Sequence, residues 1–558
     1  MALRSWISRA QLKSVSGWIN NDIRPLESGR RTWNFLTFHN YWLLVNCNIT
    51  SYLTGSALIP LGLTWWQAVI AIVVGNLLAT VAVVLNSLPG AYYHVGFPVI
   101  NRTVWGMWGS LFPVCNRIFL SLIWYGFNSW IGGECIYLIL LSWDPNLEQH
   151  IPNHMPEDVG MTTASFVAYI VFCVISLPLI WTRPHRLQNF FYVASSITII
   201  FFIVLLIWAL ATMGPAGFGD TLSNNTAIPK TGGPNSVSWL MVYGVVSTIG
   251  SISAGILNQN DYARFATKPK FATWGQALVF PFYGTLTPVV GILVTAATQH
   301  RFGGTAIWDP PTLFQQLLTQ NNSAGTRAAV FFTGLCLSVS QLGLNVPGNA
   351  LSGGFDLAAV FPRYVSLRRG AYITAVLSIA VNPWQLVNTA TTFLTVLSSY
   401  SVFLGPMTGL MVSSYLLVHR QKINVDHLYI GDRTSIYWFT YGTNWRTIVA
   451  WLLGVGPSLP GFIAAVNTSV SVPPGATELY YISYIYGFLA SGLVLALLHY
   501  MFPSPLQAQF TDQPIPPADI RRMYHEKWDV TLFETTEILE GQPLDTIKVD
   551  HPKVLTEL

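Results

Sequence analysis

About twelve stretches of mostly apolar residues, each long enough to cross a hydrocarbon layer as a helix, run through this sequence. They lie near 34–59, 65–86, 112–142, 161–181, 187–213, 237–257, 273–298, 327–355, 370–387, 390–418, 444–467 and 479–502. Lipid offers no partner for backbone polar groups, so stretches of this kind fold as helices. The expected fold is an all-α membrane protein with about 12 transmembrane helices. Only 9% of residues are charged, against roughly 25% in soluble domains. Five cysteines in 558 residues make no disulfide scaffold. A net charge of +4 without a basic cluster gives no footprint for nucleic acid. The chain also lacks the Gly-rich Lys-Ser/Thr loop that an ATP-driven pump needs. The first 30 residues are polar and basic, and read as a tail rather than a signal peptide.

Twelve spans place both termini on one side. If that side is cytoplasmic, 25 of the 28 Lys and Arg fall in the tails, in cytoplasmic loops or at their edges, and only Lys230, Arg301 and Arg327 do not. Excess Lys and Arg mark the cytoplasmic side. The sequons at Asn224, Asn321 and Asn467 fall in loops expected outside, while those at Asn48 and Asn101 fall in a span and a cytoplasmic loop. The exterior loop at 143–160 carries Asp144, Glu148, Glu157 and Asp158 and no Lys or Arg. The tail from about Pro503 is acidic and is expected to be largely disordered.

Polar groups in mid-span are costly unless they pair, face a cavity or do work. Glu134 sits deep in the third span, and Trp130 precedes it by four residues on the same helix face. An indole beside a hydrogen-bonding group suits a flat heterocycle. Packing and a helix–helix contact fit the same two residues equally well. In the first span Asn46-Cys47-Asn48-Ile49-Thr50-Ser51 lets the backbone leave the helix, and in the sixth Gly250-Ser251-Ile252-Ser253-Ala254-Gly255 is a second weak stretch. Each alone reads as close helix packing. Five spans apart, the pair is the signature of inverted-repeat transporters, whose broken helices hold substrate. In the eighth span Asn345 and Asn349 are four apart, and their amides match the edge of an amide or imide ring. Asp356 follows, and pairing with Arg363 or another basic residue is as good a reading as proton relay.

These residues resemble the nucleobase–cation symporter family 1, in its fungal uracil and allantoin permease branch. The resemblance rests on Asn48-Ile49-Thr50 through Gly62-Leu63, on Gly96-Phe97-Pro98-Val99 with Arg102, and on Trp124-Tyr125-Gly126 and Trp130-Ile131-Gly132-Gly133. Asn258-Gln259-Asn260-Asp261-Tyr262-Ala263-Arg264-Phe265-Ala266, Asn345 to Asn349, and Phe361-Pro362-Arg363-Tyr364 extend it over roughly residues 30–500. It implies a leucine-transporter-like fold: a first five-helix repeat at 33–213, a second at 237–418 and two additional helices at 444–502, between tails at 1–32 and 503–558. It implies that Trp130 stacks on the substrate ring and that Asn349, with Asn345 alongside, reads its edge. Glu134 then stands where the family's hydantoin transporter has Gln, and Ser251 with the backbone at Asn46, Asn48 and Gly250 completes the site.

The function so implied is alternating-access import of a heterocycle such as uracil, allantoin or uric acid, not an enzymatic reaction. A nucleoside or thiamine permease of the same fold, or a non-transporting sensor, are the alternatives. No cofactor or metal is expected. Sodium-coupled relatives carry a Ser-Thr pair where this chain has Gly343-Leu344, so the expected coupling ion is a proton. Glu134 is the leading proton carrier, with Asp356 and Asp261 behind it. Phe393 and Leu394 in the tenth span are gate candidates. The expected location is the plasma membrane, with Lys527, Lys548 and Lys553 in the tail available to ubiquitination machinery.

Overall fold

The computed structural model describes residues 18–19, 22–156, 159–182, 188–215, 217–218, 233–467 and 469–541. Asn224, Glu157, Asp158, Lys230, Lys548 and Lys553 lie outside the described residues. Among the described residues the only β-type pairings are two isolated bridges, Trp33 with Ala266 and Thr440 with Thr443. Nine helices among the described residues are long and apolar enough to cross a membrane. They are α3 (Trp65–Tyr93), α6 (Thr163–Trp181), α7 (Tyr192–Ala211), α8 (Val237–Leu257), α10 (Pro269–Thr298), α12 (Ala324–Val360), α14 (Ala390–Val418), α15 (Trp445–Val466) and α17 (Ser483–Met501). The other three expected spans are a helix broken in its middle, α1 (Phe35–Asn46) with α2 (Ile49–Ser56); the long α5 (Leu111–Trp143), which carries Arg117 and Glu134; and the short α13 (Leu367–Leu377). After α13 the chain stops being α-helical, and Asn382, before Pro383, takes a left-handed φ of 52°.

The helices form two groups. The broken α1–α2, α3, α8 and α10 pack together, and α5, α6, α12 and α13 form the second group. α14 lies on α8 and α17, and α17 on α15. Apolar side chains such as Leu77 and Val81 of α3, Ile207 of α7, Phe282 of α10 and Leu493 of α17 point outward and exposed, as a lipid-facing surface requires.

The break in the first helix follows from its sequence. Asn48 leaves the helical conformation, and its Oδ1 caps α2 by accepting from Ser51 N at 2.9 Å. Asn46 ends α1 and donates back to Trp42 O at 3.1 Å. The sixth span breaks later than expected. Gly250 lies inside continuous α8, which runs to Leu257, and the interruption falls at Asn258-Gln259 before the short α9 (Asn260–Ala263). Asn86 of α3 caps that helix end, donating to Leu257 O at 2.9 Å and to Ile256 O at 2.7 Å, which also accepts from Gln259 N at 3.4 Å. Gly250 is needed for packing instead: a Cβ there would clash with Leu397 O of α14.

As far as Gly541 the C-terminal segment is helical, where a largely disordered tail was expected. α18 (Pro505–Thr511) and α19 (Pro517–Gly541) fold back onto the body. Asp529 meets Arg31 of the N-terminal segment at 2.8 Å, and Lys527 meets Asp426 at 2.6 Å. The described parts of the two terminal segments therefore meet at one end of the molecule, below called the tail end.

Candidate substrate site

A cavity of about 110 Å³ opens between the two helix groups, beside the break in the first helix. α2 turns Thr50 and Thr54 into it, α5 contributes Trp124 and Asn128, α8 contributes Thr248 and Ser251, and α12 contributes Asn349. Trp124 and Asn128 are four residues apart, so their side chains share one face of α5. Asn128 is held from two sides. Its Oδ1 accepts from Thr50 Oγ1 at 2.8 Å and from Gln341 Nε2 at 3.3 Å. Its Nδ2 donates to Trp124 O at 2.9 Å, which uses one of its two hydrogens.

Asn349 is presented by a local change in helix type. α12 widens to a π-helical turn over Val346–Ala350, where Pro347 supplies no backbone N–H. There Asn349 Nδ2 donates to Asn345 Oδ1 at 2.9 Å and weakly to Trp124 O at 3.5 Å. Among the described residues nothing donates to Asn349 Oδ1. Asn345 is itself spent: its Nδ2 donates to Tyr125 O at 3.0 Å and Ser129 Oγ at 2.9 Å, and its side chain is buried away from the cavity. It orients Asn349 rather than facing the space a ligand would fill. Asn46, Asn48 and Ser251 line the cavity, with Ser251 Oγ donating to Thr248 O at 2.7 Å.

Trp130 and Glu134 are elsewhere. They line a second, outer cavity of about 320 Å³ at the end away from the tails, with Trp308, Asp309, Gln315 and Trp384. Six residues along a helix is a rise of about 9 Å, which carries them past the level of Trp124 and Asn128. A septum divides the two spaces. Phe127 of α5 stacks on Phe393 of α14 at 5.7 Å, and Phe393 meets Trp308 at 5.6 Å. Phe393 and Leu394 are fully buried. α2 completes the wall: Ile49 and Leu53 face the outer cavity, Thr50 and Thr54 the inner one. The expected single site of Trp130, Glu134, Asn349 and Ser251 is thus two sites. The sequence carries the spacing of a Trp followed by a polar residue four later twice, at 124/128 and 130/134, and only the first copy meets Asn349.

Toward the tail end the inner cavity reaches Arg117, whose Nε lies 3.5 Å from Asp356 Oδ2. Arg117, not Arg363, is the partner of Asp356, and it also donates to Ser352 Oγ. Asp356 is fully buried, and neither of its oxygens accepts a hydrogen bond. Asp261 is held differently, its Oδ1 accepting from Phe97 N at 2.9 Å. Among the described residues no group of three His, Cys, Asp or Glu converges in a way that could hold a metal ion.

Residues 25–487 match the family model described as permease for cytosine/purines, uracil, thiamine, allantoin. The chain belongs to this permease family, the nucleobase–cation symporter family 1. It is 33% identical to the allantoin permease of Saccharomyces cerevisiae over 87% of this chain and 76% of that one. It is 34% identical to the uracil permease of the same yeast, again over 87% and 76%. To a thiamine transporter of that yeast it is 33% identical over 90% and 82%. Among solved structures it resembles Mhp1, a nucleobase-cation-symport-1 family transporter, in a closed conformation with bromovinylhydantoin bound. That likeness has a TM-score of 0.67 and 18% identity over 88% of this chain and 99% of that chain. The inward facing conformation of Mhp1 matches with a TM-score of 0.68. The fold of this permease is therefore leucine-transporter-like, and the protein is an integral membrane transporter of small molecules rather than an enzyme.

Proposed function

We propose that this permease imports a small nucleobase-like heterocycle, of the uracil, allantoin or uric acid class, by proton symport across the plasma membrane. The tail end faces the cytoplasm in this reading, and substrate binds in the inner cavity. One observation carries it: beside the Trp124 indole, Asn128 keeps an unused N–H and Asn349 an unused carbonyl oxygen. A ring stacked on the indole would find a donor and an acceptor for the alternating N–H and C=O of an amide edge. The volume supports a single small ring. At about 110 Å³ the space is below the roughly 300 Å³ at which drug-sized pockets begin.

The proton reading rests on what the coupling sites offer. Gly343 and Leu344 bring no side-chain oxygen to a sodium site beside the broken first helix. Of the three carboxyl candidates, Asp356 fits best. It is fully buried behind Arg117, which lines the tail side of the cavity, and is held only by that guanidinium, so protonation would cost it one charge contact and release Arg117. Asp261 is committed to the Phe97 amide, and Glu134 lies across the septum from the substrate. The ubiquitin-acceptor role belongs in this reading to Lys548 and Lys553, because the Lys527 ammonium is engaged by Asp426.

The test of coupling is uptake of labelled substrate at two pH values in cells lacking their own permeases. Acid-stimulated uptake is expected in the native chain. Asp356→Asn is expected to bind substrate but to lose the stimulation; full pH dependence in that variant would sink the assignment.

A further inference from the structure

The outer cavity has its own chemistry. Three indoles line it, those of Trp130, Trp308 and Trp384, and so do three carboxylates, those of Glu134, Glu148 and Asp309. Among the described residues no Lys, Arg or His lines it. The two Arg described at this end are occupied elsewhere. Arg327 donates to Ser142 O and Trp143 O, and the Arg301 guanidinium lies over Trp208, with its Nε directed to Gln320.

The carboxylates are placed by structural bonds that leave charge over. Asp309 Oδ1 caps α11 (Pro310–Gln320) by accepting from Thr312 N at 2.8 Å; burial pushes its carboxyl above the usual carboxylate range, a penalty on its charge that a cation seated beside it would relieve. Glu148 Oε1 accepts from Tyr137 OH at 2.8 Å. Glu134 faces Asp309 across the space and has the Gln315 amide as its neighbour. Carboxylates gathered in a half-enclosed space without a cation are an unbalanced arrangement. The indoles give that imbalance a direction. Trp130 is fixed edge-to-face against Trp384 at 6.2 Å and tilted against Tyr169 at 5.8 Å. The indole face attracts a cation held over it.

We propose that the outer cavity is a binding site for a planar organic cation, an N-alkylated or protonated aromatic heterocycle. Its charge is met by Glu134 and Asp309, and its ring lies against the indoles. A bare metal ion is a poor occupant, because no three acidic or imidazole ligands converge among the described residues. The site also touches the septum: the Trp308 ring contacts Phe393, and its backbone oxygen accepts from Ser56 Oγ of α2 at 2.6 Å. A ring seated against Trp308 therefore bears on the barrier to the inner cavity. The site stands apart from which substrate the inner cavity takes.

The test is direct binding to the purified full chain in detergent, so that it does not depend on transport. The probes are 1-methylnicotinamide, a planar cation, and nicotinamide, its neutral counterpart. The native chain is expected to bind the cation at least tenfold more tightly. Glu134→Gln, and separately Asp309→Asn, which keeps a capping side chain, are each expected to cut that preference at least threefold. Trp124→Ala, in the inner cavity, is expected to leave it. A native chain without preference for the cation would overturn the proposal, as would a preference untouched in both charge variants. So would a preference lost in Trp124→Ala, which would move the cation to the inner cavity.

Discussion

At the scale of single residues, the two asparagines of α12 separate orientation from recognition. Asn345 has both amide hydrogens committed to α5, whereas Asn349 keeps its carbonyl oxygen for the cavity. Asn345→Ala is therefore expected to lower the melting temperature of the purified protein, because buried partners lose their bonds at about 1–3 kcal/mol. Asn349→Ala is expected to melt near the native temperature and to lose substrate uptake at least tenfold. Similar melting losses in both would show that Asn349 is structural too. His94 gives a pH expectation. It caps the end of α3, its Nδ1 lies 2.8 Å from Arg264 O, and burial pulls it down to about 3. A base whose folded value lies below its unfolded value of about 6.5 favours the folded state above that pH. That contribution is lost as pH falls from 6.5 toward 3. His94→Asn, which accepts the same left-handed backbone, should flatten the acid side of a melting-temperature profile; an unchanged slope would refute it. The sequence made the chemistry of the site legible, a Trp four residues before a hydrogen-bonding side chain. It could not say which of two such pairs was meant, because both fall on one unbroken helix and only the neighbours of α5 distinguish them.

At the scale of elements, the breaks were legible where a side chain of the element itself makes them. Asn46 and Asn48 cap and end their own helices, so the first break stands where the sequence puts it. The second is capped by Asn86, some 170 positions away in the chain, which no local reading of residues 250–255 could supply. Glycine there serves packing, and Gly250→Ala is expected to force α8 off α14. Overpacking of this kind costs about 1–3 kcal/mol; the yield of folded, detergent-stable protein should fall, and a native-like melt would contradict the close approach to Leu397 O. The septum is likewise a contact among elements distant in sequence. Phe393→Ala removes the ring between Phe127 and Trp308. It should speed the labelling of a Ser251→Cys probe by a membrane-impermeant thiol reagent added from the non-tail side. No change relative to the same probe with Phe393 intact would mean the barrier lies elsewhere.

At the scale of the whole molecule, the all-helical membrane architecture and the family resemblance were legible from the spacing of apolar stretches and a handful of motifs, whereas the two helix groups were not, because each joins helices from both halves of the chain. The folding back of α19 was not, because an acidic helix of low hydropathy shows nothing until its partners Arg31 and Asp426 are seen. The central claim is that substrate is held on the tail side of an aromatic septum, at Trp124, and not beyond it at Trp130. The most direct measurement is initial uptake of labelled uracil and allantoin in cells without their own permeases, with surface abundance matched, for the native chain, Trp124→Ala and Trp130→Ala. The account predicts that Trp124→Ala loses at least tenfold more uptake than Trp130→Ala. Uptake abolished in Trp130→Ala and retained in Trp124→Ala would contradict it.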